Sequence, residues 1–294
     1  MKIEDLFSDS FQQLRASFQT TEGLLQPMVG KMLSPDSRFC KEAVAAGQIS
    51  QEEMQRAALR YRLGKSRSGE TVFWMIDQNQ RVRDAIVSNS WASVLLKKRG
   101  LIDQQWCPQH CLFGLHLLSN TYFTFNEHGD EHDNEHESHE SNELNNHSSN
   151  SCDSCSKNNL TYHSCHSCDS CSTNQLVVCI VESVQSCVVL SERFPEYLWM
   201  ATGYLANLNE MVFLPLKGHH VICHPATDPT GDTYLLWLSV ATAARKYGLD
   251  ITVSRLLEDQ ATPDQKSRNI DLVDFLFPHT DESDVTRKSQ ISQK

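Results

Sequence analysis

A chain of 294 residues, 39% hydrophobic, is long enough to bury one large core or two small ones. It contains no apolar run near the ~18 residues that a membrane span requires, and Met1-Lys2-Ile3-Glu4-Asp5-Leu6 lacks the apolar stretch of a secretory signal, so a membrane protein is disfavoured and a cytoplasmic location is expected. The net charge of −11 is very uneven: ten acids face one base between Asn126 and Gln175, whereas ten bases face three acids between Arg56 and Arg99.

Residues 1–33 read as a weakly amphipathic helical extension without recognisable chemistry. From Ser34 the pattern changes, and residues 34–120 read as a small basic subdomain of helices and a β-hairpin. Ser34-Pro35-Asp36 is a helix start, and its apolar spacing runs to Ala46 and stops at Gly47. Ser50 with Glu53 forms a capping box opening a second helix, expected to reach about Leu63 before Gly64. Thr71–Ile76 and Arg81–Val87 are strand-like runs either side of the polar turn Asp77-Gln78-Asn79-Gln80, the signature of a hairpin. Arg60, Arg62, Lys65, Arg67, Arg81 and Arg83 fall in this sector beside Tyr61, Phe73, Trp74 and Trp91. Bases interleaved with aromatics suit the phosphates and rings of a single strand, and these six are the candidate nucleic-acid contacts. The competing reading is a solvated charged face. Cys107-Pro108-Gln109-His110-Cys111 has no second cysteine pair nearby within the fold and reads as structural.

Residues 121–175 read as an insert, in which from Asn126 to about Asn174 the sequence loses all apolar periodicity and becomes Asn, Ser, His, Glu, Asp and Cys. Such a segment cannot bury enough surface to offset the entropy of ordering it, and is expected to be a disordered insert. Ser151–Ser156 recurs identically at Ser167–Ser172. Cys152, Cys155, Cys165 and Cys168 have zinc-knuckle spacing, so Zn²⁺ is a candidate ligand, although the duplication generates paired cysteines without any selection for metal. The chain holds eleven cysteines, an odd number in a sequence with no secretory signal, and reduced thiols are expected.

Residues 176–278 read as an α/β domain. Leu176–Val181 is an apolar run lacking alternation, suited to a strand buried on both faces, and it ends at Glu182. Val184–Phe194 has helical spacing, Leu198–Ala201 is a second strand closed by Gly203, and His220–His224 is a third, leading to Asp228. A second crossover helix is expected between the latter two. Thr230–Tyr247 is a further helix, Leu249–Ser254 a fourth strand, and Ile270–Phe277 a closing helix with Asp271 and Asp274 on its outer face. Strand and helix alternation implies a parallel sheet with its active groups at the carboxyl ends of the strands, where Glu182, Gly203 and Asp228 fall. Residues 279–294 form a polar tail.

The stretches "VVCIVES", "WMATG" and "VICHPATD" resemble the first three strands of a toprim domain, the metal-binding fold of primases and topoisomerases. With "RYRLGKSRSGETVFWMID", "CLFGLHLL", "ATGYLANLN" and "IDLVDFLF", the chain is similar to a family of primase-like, toprim-bearing bacterial proteins often carried on mobile elements. The resemblance spans most of Leu33–Phe277 apart from the insert. It implies a toprim-like parallel sheet with flanking helices, preceded by a small α+β basic subdomain like that of bacterial primases. It also implies Mg²⁺ or Mn²⁺ held by a glutamate after the first strand and an Asp-x-Asp pair after the third. Glu182 matches the glutamate, which would act in catalysis, and Asp228 matches the second aspartate, but Ala226 stands in place of the first, with Asp232 as a possible substitute ligand. The implied function is Mg²⁺-dependent nucleotidyl or phosphodiester transfer on nucleic acid, above all single-stranded DNA, in replication or mobile-element maintenance, with a replicative helicase as a candidate partner. The alternative is a catalytically degenerate nucleic-acid-binding accessory protein that lost its metal site at Ala226.

Overall fold

The computed structural model describes residues 26–98, 100, 103–105, 108–119 and 176–278. The insert cysteines Cys152, Cys155, Cys165 and Cys168 lie outside the described residues, as do the first 25 residues and the polar tail.

Helices α1 (Gln26–Met32), α2 (Arg38–Ala45) and α3 (Gln51–Arg60) come first. Helix α2 starts one turn later than Ser34-Pro35 suggests: Ser37 is its N-cap residue, while the Ser34 hydroxyl accepts the Asp36 amide in a local turn. Helix α3 carries the capping box read from sequence, with Ser50 Oγ accepting the Glu53 amide and Glu53 accepting the Ser50 amide. It closes at Tyr61, and Arg62 takes a left-handed backbone (φ 55°) that turns the chain into the first strand.

Strands β1 (Gly64–Lys65), β2 (Thr71–Ile76), β3 (Val82–Val87) and β4 (Ser90–Trp91) form an antiparallel sheet in that order. Every residue of β2 is buried because both faces of the strand are covered. Val72, Trp74 and Ile76 join Val29 of α1 and Ala92 and Leu96 of α4 (Ala92–Lys98) in one apolar cluster. On the other face Phe73 meets Phe39 and Phe113, with ring centroids 5.5 and 5.9 Å apart. Val87 pairs with Ser90, so Ser88 and Asn89 form a two-residue hairpin loop, both with positive φ (48° and 57°).

The second sheet is parallel, with order β6-β5-β7-β8: β5 (Val177–Val181), β6 (Leu198–Ala201), β7 (His220–Cys223) and β8 (Asp250–Val253). Helix α5 (Val184–Arg193) follows β5, α6 (Asp232–Arg245) joins β7 to β8, and the short helices α7 (Leu256–Gln260), α8 (Pro263–Ser267) and α9 (Leu272–Leu276) finish the chain. The β6–β7 crossover has no α-helix. It uses two 3-10 segments, Leu205–Asn207 and Glu210–Leu216, the second containing Pro215, whose missing N–H and ring clash oppose an α-helical interior.

The two sheets belong to one compact unit. Phe113 pairs antiparallel with Ala201 on the free edge of β6, through N–H···O contacts of 2.8 and 3.1 Å. Buried Tyr61 donates its hydroxyl to the Trp199 carbonyl at 2.9 Å and stacks on Phe113. No helix among the described residues is long and apolar enough to cross a membrane.

Candidate functional site

A cleft of about 860 Å³ opens between the antiparallel layer and the carboxyl ends of β5, β6 and β7. In this strand order the crossovers leave in opposite senses beside β5 and β7, and the crevice beyond that point is where open α/β sheets bind ligands. Glu182, Gly203 and Ala226, which follow the three strands, all line it.

Glu182 occupies the end of β5 because Ser183 caps α5 immediately after it, the Ser183 side chain accepting the Ser186 amide at 3.2 Å. The Glu182 carbonyl accepts the Gly203 amide at 2.9 Å, which locks the two strand ends together. Burial raises the Glu182 carboxyl above its ordinary 4.5 and the nearby Asp271 carboxylate adds to this, while an N–H from Leu205 opposes it. Gly203 turns the chain with φ 82°, and a Cβ there would sit 2.7 Å from Ile86 Cδ1, so the turn presses directly on the antiparallel layer.

Asp271 lines the same cleft and does not lie on the outer face of the closing helix; only Asp274 is exposed there. As the N-cap of α9 it accepts the amides of Val273 and Asp274 at 2.9 and 3.1 Å, and it also accepts Ser186 Oγ. Burial raises its pKa, with those hydrogen bonds acting against the shift.

Asp228 has a different setting. Its Oδ1 accepts the amides of Thr230, Gly231 and Asp232 and the Thr230 hydroxyl, and its Oδ2 accepts the Thr233 amide at 2.7 Å. Partial desolvation alone would raise its pKa, but these donors from Thr230 and Thr233 outweigh it and hold the carboxyl well below the usual range. Its carboxylate is committed to the loop that starts α6, and neither it nor Asp232, which is exposed with Oδ2 2.7 Å from Thr230 Oγ1, lines the cleft. Asp259 is paired with Arg255 at 2.7 Å. Among the described residues no group of three or more His, Cys, Asp or Glu side chains could hold a metal ion. Four carboxylates line the cleft, Glu182 and Asp271 from the parallel-sheet side and Glu42 and Glu70 from the other.

The six cations picked out from the sequence lie elsewhere; none lines the cleft. Arg60, with Arg56, pairs with the nearly buried Glu192 of α5; Arg60 Nη2 lies 3.0 Å from Oε1, and Arg56 hydrogen-bonds Oε2. Arg62 donates to Gln80 at 2.9 Å, Lys65 to Asp36 at 2.8 Å, and Arg83 to the buried Asp77 at 2.6–2.7 Å. Arg67 and Arg81 are exposed. The cation that does line the cleft, Arg38, was hidden in a helix start that gave no chemical signal. Burial lowers His110, His116 and His224 to about 4, so all three are neutral packing groups near pH 7; His110 and Tyr204 flank the Trp91 ring at 4.1 and 5.3 Å.

No curated protein and no solved structure matches the chain. Residues 42–127 and 124–227 match the family described as a domain of unknown function (DUF6371), spanning more than half of the sequence, and the chain belongs to that family.

Proposed function

We propose that this is a primase-like, toprim-like protein that acts on nucleic acid, single-stranded DNA first of all, with its chemistry centred on Glu182. The observation that carries this reading is the position of Glu182: half-buried, at the end of the first strand of a parallel sheet, in a cleft roofed by a small α+β layer. A carboxyl whose pKa burial raises above the ordinary range is better matched to proton transfer to or from a reacting oxygen. The Leu205 amide orients it, and Asp271 beside it completes the donor set. A divalent ion bound there would neutralise phosphate charge; the oxygen donors fit Mg²⁺ or Mn²⁺, which need few carboxylates when phosphates supply the rest. Partners consistent with this role are single-stranded DNA and a replicative helicase, in replication or mobile-element maintenance in the cytoplasm.

The accessory reading draws on a specific observation of its own: Ala226 offers no ligand and Asp228 is occupied by its own loop. Primer-synthesis and nicking assays with Mg²⁺ and Mn²⁺ separate the two. Transfer activity that disappears in Glu182→Gln supports the enzyme. No activity in the parent protein, with DNA binding retained, supports the accessory role, and activity unchanged in Glu182→Gln removes this site from the reaction. If Glu182 must ionise to act, the acid limb of the rate profile lies above its ordinary 4.5.

A further inference from the structure

We propose that Arg38 is the residue through which the cleft holds a phosphate group of its ligand, an inference that rests on the nucleic-acid reading above. Among the described residues lining the cleft, Arg38 is the single cation, set against Glu42, Glu70, Glu182 and Asp271. Glu42 and Glu70 offset the charge of this guanidinium, so what it offers a phosphate is a direct N–H pairing rather than a long-range field. The cleft therefore admits a phosphate at one point rather than along a charged groove.

The guanidinium is built to present an open donor face. Nε donates to Glu42 Oε1 at 2.9 Å and Nη1 to Glu70 Oε1 at 3.0 Å, which fixes the plane of the fork. Nη2 makes no hydrogen bond or ion pair among the described residues, and the side chain is 64% exposed. The backbone beneath is pinned where α2 meets the hairpin: the Arg38 amide donates to the Gly69 carbonyl at 2.8 Å and the Phe39 amide to Thr71 Oγ1 at 2.9 Å. A guanidinium held in this way loses little freedom on pairing with a phosphate, and its planar fork matches phosphate oxygens as an ammonium does not. Arg38 stands on the antiparallel wall and Glu182 and Asp271 on the parallel-sheet wall. A phosphate on Arg38 would thus share the cleft with those two carboxylates.

The test is fluorescence anisotropy of the full chain with a 5′-fluorescein oligothymidylate in Mg²⁺ buffer across a salt series. The proteins compared are the parent, Arg38→Ala, Arg38→Lys and, as a surface cation outside the cleft, Arg268→Ala. Arg38→Ala should weaken binding roughly tenfold and make the log–log salt slope shallower by about 0.7, the value of one single-strand phosphate. Arg38→Lys should not restore the parent affinity, and Arg268→Ala should stay within about twofold of it. Far-UV circular dichroism checks that each variant is folded. Parent binding with Arg38→Ala unchanged in affinity and slope overturns the assignment of Arg38 alone, as does an equal loss in Arg268→Ala. A parent protein that does not bind the oligonucleotide overturns the nucleic-acid reading as well.

Discussion

Carboxylates of the same kind take opposite roles in this chain according to what donates to them. Asp228 has five donors from its own loop and stays ionised; Glu182 has one amide and a neighbouring acid, and is pushed towards its neutral form. A third case lies within the antiparallel layer. Asp84 is fully buried, accepts the Ala85 and Ser93 amides and the Ser93 hydroxyl, and is raised by burial to about 6 despite them. Since the folded state then binds the proton more tightly than the unfolded chain, this residue contributes most to stability below pH ~4, and that contribution is lost as pH rises to about 6. The full swing is on the order of 3 kcal/mol. Asp84→Asn keeps the two amide bonds and removes the titration. Urea unfolding of the variant should therefore show a flatter stability profile between pH 4 and 6 than the parent. A profile identical to the parent's would mean that Asp84 does not titrate there.

Among the elements, locally encoded features were the legible ones. The Ser50/Glu53 box and the Asp77–Gln80 turn act through residues three or four apart, and both helix and hairpin form where those residues place them. The strand ends at Glu182 and Cys223 follow from runs of apolar residues too short for anything but buried strands. The misreadings share a cause: the deciding group is distant in sequence or is a single proline. Pro215 converts an expected crossover helix into 3-10 turns. Asp271 faces the cleft because Ser186, 85 residues away, donates to it. The ion pairs of Glu192 with Arg56 and Arg60 are likewise made between helices that no local pattern connects. The joint between the layers is equally non-local and can be probed at two positions. Gly114 has φ 86°, and a Cβ there would lie 3.0 Å from both the Trp199 carbonyl oxygen and Tyr61 Cε1. Gly114→Ala should cost about 1–3 kcal/mol by chemical denaturation. Tyr61→Phe leaves the Trp199 carbonyl without that donor and should cost about 1–2 kcal/mol with the stacking on Phe113 intact. Wild-type stability in both variants would show that the layers do not depend on this joint.

For the whole molecule, charge and function separate along the chain. The described fold carries the cleft, whereas the acidic, cysteine-bearing stretch accounts for nearly all of the net charge of −11. Zinc titration of the full chain beside a variant with Ser at 152, 155, 165 and 168 should show no submicromolar site that depends on those thiols; a tight site lost in the variant would reinstate the zinc-knuckle reading of that stretch. Replacing residues 121–174 with a short Gly-Ser linker should leave the melting temperature within a few degrees of the parent's.

That last expectation follows from the pairing of Phe113 with Ala201. The described residues on either side of that stretch are both held to one strand: Phe113 bonds to Ala201 of β6, and β5, which begins at Val177, runs hydrogen-bonded beside β6. Both sides of the stretch are thus tied to β6 whatever its length, and the entropy of closing a loop between fixed ends rises only logarithmically, by about 0.6 kcal/mol for each doubling in length. Changing the number of residues between these two anchors should therefore tax the fold by little more than that entropy.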